Sequence, residues 1–227
     1  DAWEEHTHNL DPLALTWLKT AKRNRLQHFM VDGEGTTFSY GRTLAATLAF
    51  AKAMRRYTSD DNVGLVLPAS SASLISNMAV LLNGQTTVNI NYTSSVGAVQ
   101  ASLRTAAIRT VFTSRRFMAK LEQRGIAIET MLADTQIVFL EDVKAALSKG
   151  DLLRAMLFSL LPANVIYWLL GRQRQLDDPA AILFSSGSEG TPKGIVLSHR
   201  NIIANCKQIS DVLDTRKHDV FMNSLPP

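Results

Sequence analysis

The sequence predicts an α/β fold in which a mostly parallel sheet is flanked by helices. Three observations predict it. Short apolar or β-branched runs recur at Val63 to Leu67, Thr86 to Ile90, Val111 to Thr113 and Ile137 to Leu140. Segments with apolar residues at helical spacing separate them. Cap and turn residues fall at the junctions between the two kinds of segment. Strands that are apolar throughout are those covered on both faces, which is the environment of a parallel sheet.

Taken in order, residues 1–25 are polar and basic around Leu13, Leu15, Trp17 and Leu18, and read as a leader that runs into a helix. Phe29-Met30-Val31 and Thr36-Thr37-Phe38 flank the turn-rich Asp32-Gly33-Glu34-Gly35, which predicts a hairpin. Ser39 starts a helix to about Arg56, with Leu44, Leu48 and Ala51 on one face. A second helix covers Ser71 to Leu82, and Gly84 stands just past its end, where a left-handed residue closes a helix. Further helices are expected from Ser95 to Ala107 and from Arg116 to Gln123. There is no internal repeat and no low-complexity tract. The chain begins without Met and stops just after an apolar strand-like run, so it is expected to be part of a longer protein.

Composition excludes some functions. The chain is 46% hydrophobic and 19% charged, which is globular rather than disordered. A net charge of +4 is modest, and the basic residues are scattered without interleaved aromatics. No nucleic acid partner is expected on that pattern. The single cysteine, Cys206, rules out an intrachain disulfide, and its periodic surroundings predict a small buried residue.

Leu152 to Leu170 breaks the alternation of strands and helices. Only Arg154, Ser159, Pro162 and Asn164 in it are neither apolar nor aromatic, and basic residues flank it at Lys149, Arg172 and Arg174. Three readings stand: a segment lying in a membrane interface, an ordinary core or surface hairpin, and a membrane span. Pro162 and Asn164 in its middle weigh against a span.

The chemistry is concentrated in Ser185-Ser186-Gly187-Ser188-Glu189-Gly190-Thr191-Pro192-Lys193-Gly194, between the apolar runs Ile182-Leu183-Phe184 and Ile195-Val196-Leu197, both read as buried strands. Glycines at 187, 190 and 194 let the backbone turn so that successive N–H groups converge on an anion. Hydroxyls of Ser185, Ser186, Ser188 and Thr191 add donors, Lys193 adds a mobile positive charge, and Pro192 stiffens the approach to it. The pattern suits the phosphates of ATP. It is neither G-x-x-x-x-G-K-[ST] nor G-x-G-x-x-G.

This decapeptide resembles the signature loop of the adenylate-forming enzymes, which include acyl-CoA synthetases, luciferases and peptide-synthetase adenylation domains. Ser198-His199-Arg200-Asn201 resembles the start of the family helix after the loop, with Ser198 as its cap. Leu81-Leu82-Asn83-Gly84 with Thr86 to Asn91 resembles an earlier helix–glycine–strand element, and Asn223-Ser224-Leu225-Pro226 the strand end before the family's substrate-pocket histidine. The resemblance covers about Phe29 to Pro227. It divides the chain into the leader, 1–25, and the amino-terminal part of an AMP-binding domain, 26–227, with an apolar insert at 152–170.

Glu189, where the family usually has threonine, and Val88-Asn89-Ile90-Asn91-Tyr92 look like the acyl-acyl carrier protein synthetases. In bacteria these are often fused to a lysophospholipid acyltransferase at the cytoplasmic face of the inner membrane. The resemblance implies that ATP with Mg²⁺ converts a fatty acid to an acyl-adenylate, which is then passed to acyl carrier protein or CoA. It assigns Lys193 and the amides of Gly187 to Gly190 to the β- and γ-phosphates. A carboxylate at 189 would repel that anion unless turned away or bridged by Mg²⁺. The family's adenine-stacking aromatic, Mg²⁺-binding glutamate, ribose-binding aspartate and catalytic lysine are expected beyond Pro227, so these 227 residues alone are expected to be inactive. The alternative is a non-catalytic module that keeps the fold for membrane docking or protein contact.

Weaker patterns have ordinary explanations. His6 and Asp11 have the spacing of glycerolipid acyltransferases but sit in the polar leader, and His6, His8, Glu4 and Glu5 suit a solvated terminus better than a metal site. His199 reads as structural, since no G-x-S-x-G elbow surrounds Ser198.

Overall fold

The computed structural model describes residues 10–33, 35–170, 172–185, 192–214, 216 and 219–223. Helix α1 (Leu13–Arg23) leads into an antiparallel hairpin of β1 (His28–Val31) and β2 (Thr37–Ser39). There follow α2 (Tyr40–Met54), β3 (Asn62–Val66), α3 (Ser71–Leu82), β4 (Thr86–Asn89), α4 (Val96–Thr105) and β5 (Thr110–Thr113). Next come α5 (Arg115–Gln123), α6 (Ile128–Met131), β6 (Gln136–Phe139), α7 (Leu140–Ala145), α8 (Lys149–Phe158) and α9 (Ala163–Leu170). A terminal hairpin, β7 (Pro179–Ser185) and β8 (Lys193–Ser198), ends in α10 (His199–Val212).

The main sheet has six strands in the order β6-β5-β3-β4-β7-β8. Every neighbouring pair is parallel except β7 with β8. The α/β class with a mostly parallel sheet is therefore as expected. Alternate strand residues feed two cores. Val63, Leu65 and Phe112 join α1, α2, α3, α8 and α9 on one face, with Trp17, Leu18, Leu44 and Ile166 buried there. Val66, Val88 and Val111 join α4, α5 and α6 on the other, with Leu103, Phe117 and Ile128.

Local chemistry sets the helix starts. Ser39, Ser70, Ser95, Ser114, Ser148 and Ser198 each accept an N–H of the first helical turn, which satisfies one of the amides a helix start leaves open. Helix α1 lies inside the stretch read as leader, yet its Ala14, Trp17, Leu18 and Ala21 are core residues.

Two expectations change, and the apolar stretch takes a definite form. The apolar stretch from Leu152 folds as two short helices, α8 and α9, broken around Pro162. Among the described residues no helix is long and apolar enough to cross a membrane. β8 is not a buried strand: Ile195 and Val196 are 50% and 56% exposed because β8 is the sheet edge, and Leu183 of the neighbouring β7 is 46% exposed. Cys206 is exposed as well, since α10 buries only His199 and Ile203 near its start.

Candidate active site

β7 and β8 pair from Pro179 with Ser198 out to Ser185 with Lys193. The run of small residues is thus the connection of a hairpin. It leaves the sheet at the carboxyl end of β7, whose parallel neighbour is β4. Ligands of open α/β sheets bind outside the carboxyl ends of the strands, so the topology puts this loop where a ligand is expected. Ser186, Gly187, Ser188, Glu189, Gly190 and Thr191 lie outside the described residues. Ser185, Pro192, Lys193 and Gly194 form the described base of the loop.

Lys193 is exposed at the first position of β8, directly across from exposed Ser185. Among the described residues it has no hydrogen-bond or ion-pair partner. An ammonium held by a strand, with no carboxylate partner among the described residues, is available to an anion.

Gly194 has a different task from the one its sequence position suggests. It is extended within β8 and makes no turn. Its cross-strand partner is Phe184, and a Cβ at 194 would lie 3.2 Å from the Phe184 ring. The missing side chain makes room for that ring.

Phe184 in turn walls a cavity of about 300 Å³ that also involves Asn91, Ser94, Ser95, Ser185 and Pro192. Asn91 Oδ1 accepts from the Thr93 amide at 3.1 Å and its hydroxyl at 2.6 Å, shaping the turn after β4. Ser95 then caps α4 by accepting from the Ala98 N–H at 3.3 Å. The amino terminus of α4, with its open amides and partial positive charge, therefore borders the same cavity as the base of the loop. Behind it, Asn77 Oδ1 accepts from Thr87 Oγ1 at 2.6 Å and from Asn89 Nδ2 at 3.1 Å, fixing the carboxyl end of β4. Ser94, Ser95 and Phe184 were not singled out as site residues from sequence. The one available signal was the Ser94-Ser95 pair just ahead of a helical period.

His199 is structural, as expected. It is 2% exposed, and its Nδ1 accepts the backbone N–H of Leu13 at 3.2 Å, tying α10 to α1. Burial holds its pKa below the ordinary value; Asp178 opposes that shift and Arg174 adds to it. The folded chain thus binds fewer protons here than the unfolded chain. This contribution to stability is complete above the unfolded value of about 6.5 and is lost as pH falls through the lower folded value. Urea midpoints are expected to drop on acidification below about pH 6.5. His199→Asn, which keeps an acceptor without titrating, is expected to flatten that part of the profile.

The sequence profile of the AMP-binding enzymes matches residues 17–227. The chain belongs to the AMP-binding enzyme family. Among relatives of this AMP-binding chain, 4-coumarate--CoA ligase-like 9 of Arabidopsis thaliana is 28% identical over 192 residues, which is 82% of this chain and 31% of the relative. The Arabidopsis thaliana chloroplastic long-chain-fatty-acid--[acyl-carrier-protein] ligase AEE15 is 42% identical over 50 residues, 22% of this chain and 7% of the relative. Among solved structures, o-succinylbenzoate CoA synthetase (MenE) of Bacillus subtilis in complex with ATP and magnesium ion superimposes with a TM-score of 0.73 at 16% identity. The match covers 95% of this chain and 51% of that one. That likeness shows the fold. The AMP-binding chain spans about a quarter to a third of the length of the first curated relatives it matches.

Proposed function

We propose that the intact protein uses ATP to activate a fatty acid as its acyl-adenylate and passes the acyl group to a carrier thiol. The observation that carries this reading is Lys193, without an ion-pair partner among the described residues, at the base of a Gly/Ser loop and at the carboxyl end of the sheet in an AMP-binding chain. A carboxylate oxygen of the acid attacks the α-phosphorus, and the bond to the bridging oxygen breaks to release pyrophosphate. A thiolate then attacks the acyl carbon, and AMP leaves.

This chain's part is electrostatic. Lys193 and the loop hydroxyls and amides neutralise the charge gathering on the leaving pyrophosphate, where fixed donors need no reorganisation during the reaction. Mg²⁺ is expected to accompany ATP, but among the described residues no group of three or more His, Cys, Asp or Glu could hold a metal.

Glu189 and Val88 to Tyr92 support acyl carrier protein as acceptor, while the fatty acid ligases similar to this chain over 50 residues include one that uses acyl carrier protein and two that use CoA. Coupling to lysophospholipid reacylation at the cytoplasmic face of a bacterial inner membrane belongs to the same proposal. The 227 residues alone, about half the span of the MenE chain, are proposed to release no pyrophosphate. Incubating the intact protein with ATP, labelled fatty acid and each acceptor tests the proposal. Label is expected on acyl carrier protein; label on CoA alone contradicts the acceptor, and no AMP with either contradicts the reaction.

A further inference from the structure

Helix α8 is built the wrong way round for a helix in water. Its protein-facing side carries Asp151, Ala155 and Ser159, all buried. Asp151 is held there by Lys52 Nζ at 3.0 Å and by the Ser148 hydroxyl at 2.8 Å, partners that push its carboxyl far below the usual carboxylate range. Lys22 Nζ donates to the carbonyls of Ser159 and Leu160 at 2.9 and 3.1 Å. The polar side is thus consumed in docking α8 onto α2 and α1.

The outward side carries the large apolar residues. Leu152, Leu153, Met156, Leu157 and Leu160 recur at the spacing of one helical face and are between 51% and 58% exposed. After Pro162 the pattern continues in α9. Ile166 and Tyr167 turn inward, while Trp168 is 68% and Leu169 48% exposed. Scattered surface leucines need no explanation, but a helix-long apolar stripe marks an interaction surface.

Charge selects its occupant. Lys149 stands at the head of the stripe, Arg154 beside it and Arg172 just after α9, all exposed. The one acid between them, Asp151, faces inward and is neutralised. An apolar stripe whose segment exposes only cationic charges, followed by an exposed indole, matches the boundary of an anionic bilayer, where tails take the leucines and headgroups the cations. Helices of 10 and 8 residues are far too short to cross about 30 Å of hydrocarbon, so they would lie in the plane. We infer that the α8–α9 segment docks the protein onto an anionic lipid surface.

The test is co-sedimentation of the intact protein with vesicles of phosphatidylcholine, alone or with one quarter phosphatidylglycerol. Binding is expected to the anionic vesicles and to fall roughly tenfold or more in L153E/L157E, with an unchanged circular dichroism spectrum because both side chains are over half exposed. K149E/R154E, which leaves the apolar face intact, is expected to weaken binding to anionic vesicles and serves if the first variant misfolds. Trp emission should shift to the blue with anionic vesicles, and the shift should vanish in W168F. No sedimentation at millimolar lipid overturns the inference, as does binding unaffected by either variant. Self-association abolished by L153E/L157E without vesicle binding also overturns it, and assigns the face to a second copy.

Discussion

Lys193→Ala in the intact protein is expected to lower fatty acid activation roughly 100- to 1000-fold, the loss found when one fixed donor to a developing anion is removed. The effect should fall on kcat more than on KM. Charge accumulates on the leaving pyrophosphate in the transition state, and an interaction stronger there than in the ground state changes the rate. Stability should not move, because the side chain is exposed and contributes nothing to either core. Lys193→Arg is expected to recover only part of the rate: the charge returns, but on a planar fork in place of a compact ammonium. Pyrophosphate release measured under saturating ATP checks both variants. A rate within a factor of two or so of the parent for Lys193→Ala would remove Lys193 from the mechanism.

The second large effect is on stability. Gly84→Ala is expected to cost about 2–4 kcal/mol and to lower Tm by roughly 5–10 °C. Gly84 has φ +66, in the left-handed region that a side chain disfavours. A Cβ there would stand 2.3 Å from the Cβ of Arg172 and 3.1 Å from its carbonyl oxygen, so the strand entry or the segment after α9 must give way. That segment is held on purpose. Arg174 donates to the Gly84 carbonyl through Nε at 2.8 Å and Nη2 at 2.6 Å, and Arg55 donates to the carbonyl of Leu170. Calorimetry reads the change directly. A Tm equal to the parent's would mean that this junction yields without strain.

Gly84 also illustrates what a sequence discloses. A glycine after twelve helical residues is a local signal with one common meaning, a helix end, and the structure has it there. The parallel strands were legible for a similar reason: burial on both faces favours consecutive apolar residues, as at Leu65 and Val66 of β3 and Val111 and Phe112 of β5. β8 shows where that inference stops. Ile195 and Val196 look the same in sequence as a central strand, but pairing only with β7 leaves them on the sheet edge. Cys206 failed likewise, since a helical period says which residues share a face but not how far along the helix the body extends. At the site, the loop was visible because glycine, serine and lysine are dense in it. Its cavity was not, because Ser94 and Ser95 are brought to Phe184 and Ser185 only by the β4–β7 pairing across a long stretch of chain.

The most direct measurement of the central claim is exchange of labelled pyrophosphate into ATP by the intact protein, with no thiol acceptor present. Exchange that depends on added fatty acid and is lost in Lys193→Ala is the result expected of an adenylate-forming site with its charge at this loop. ATP binding without carboxylate-dependent exchange, or cleavage to ADP and phosphate instead, would contradict it.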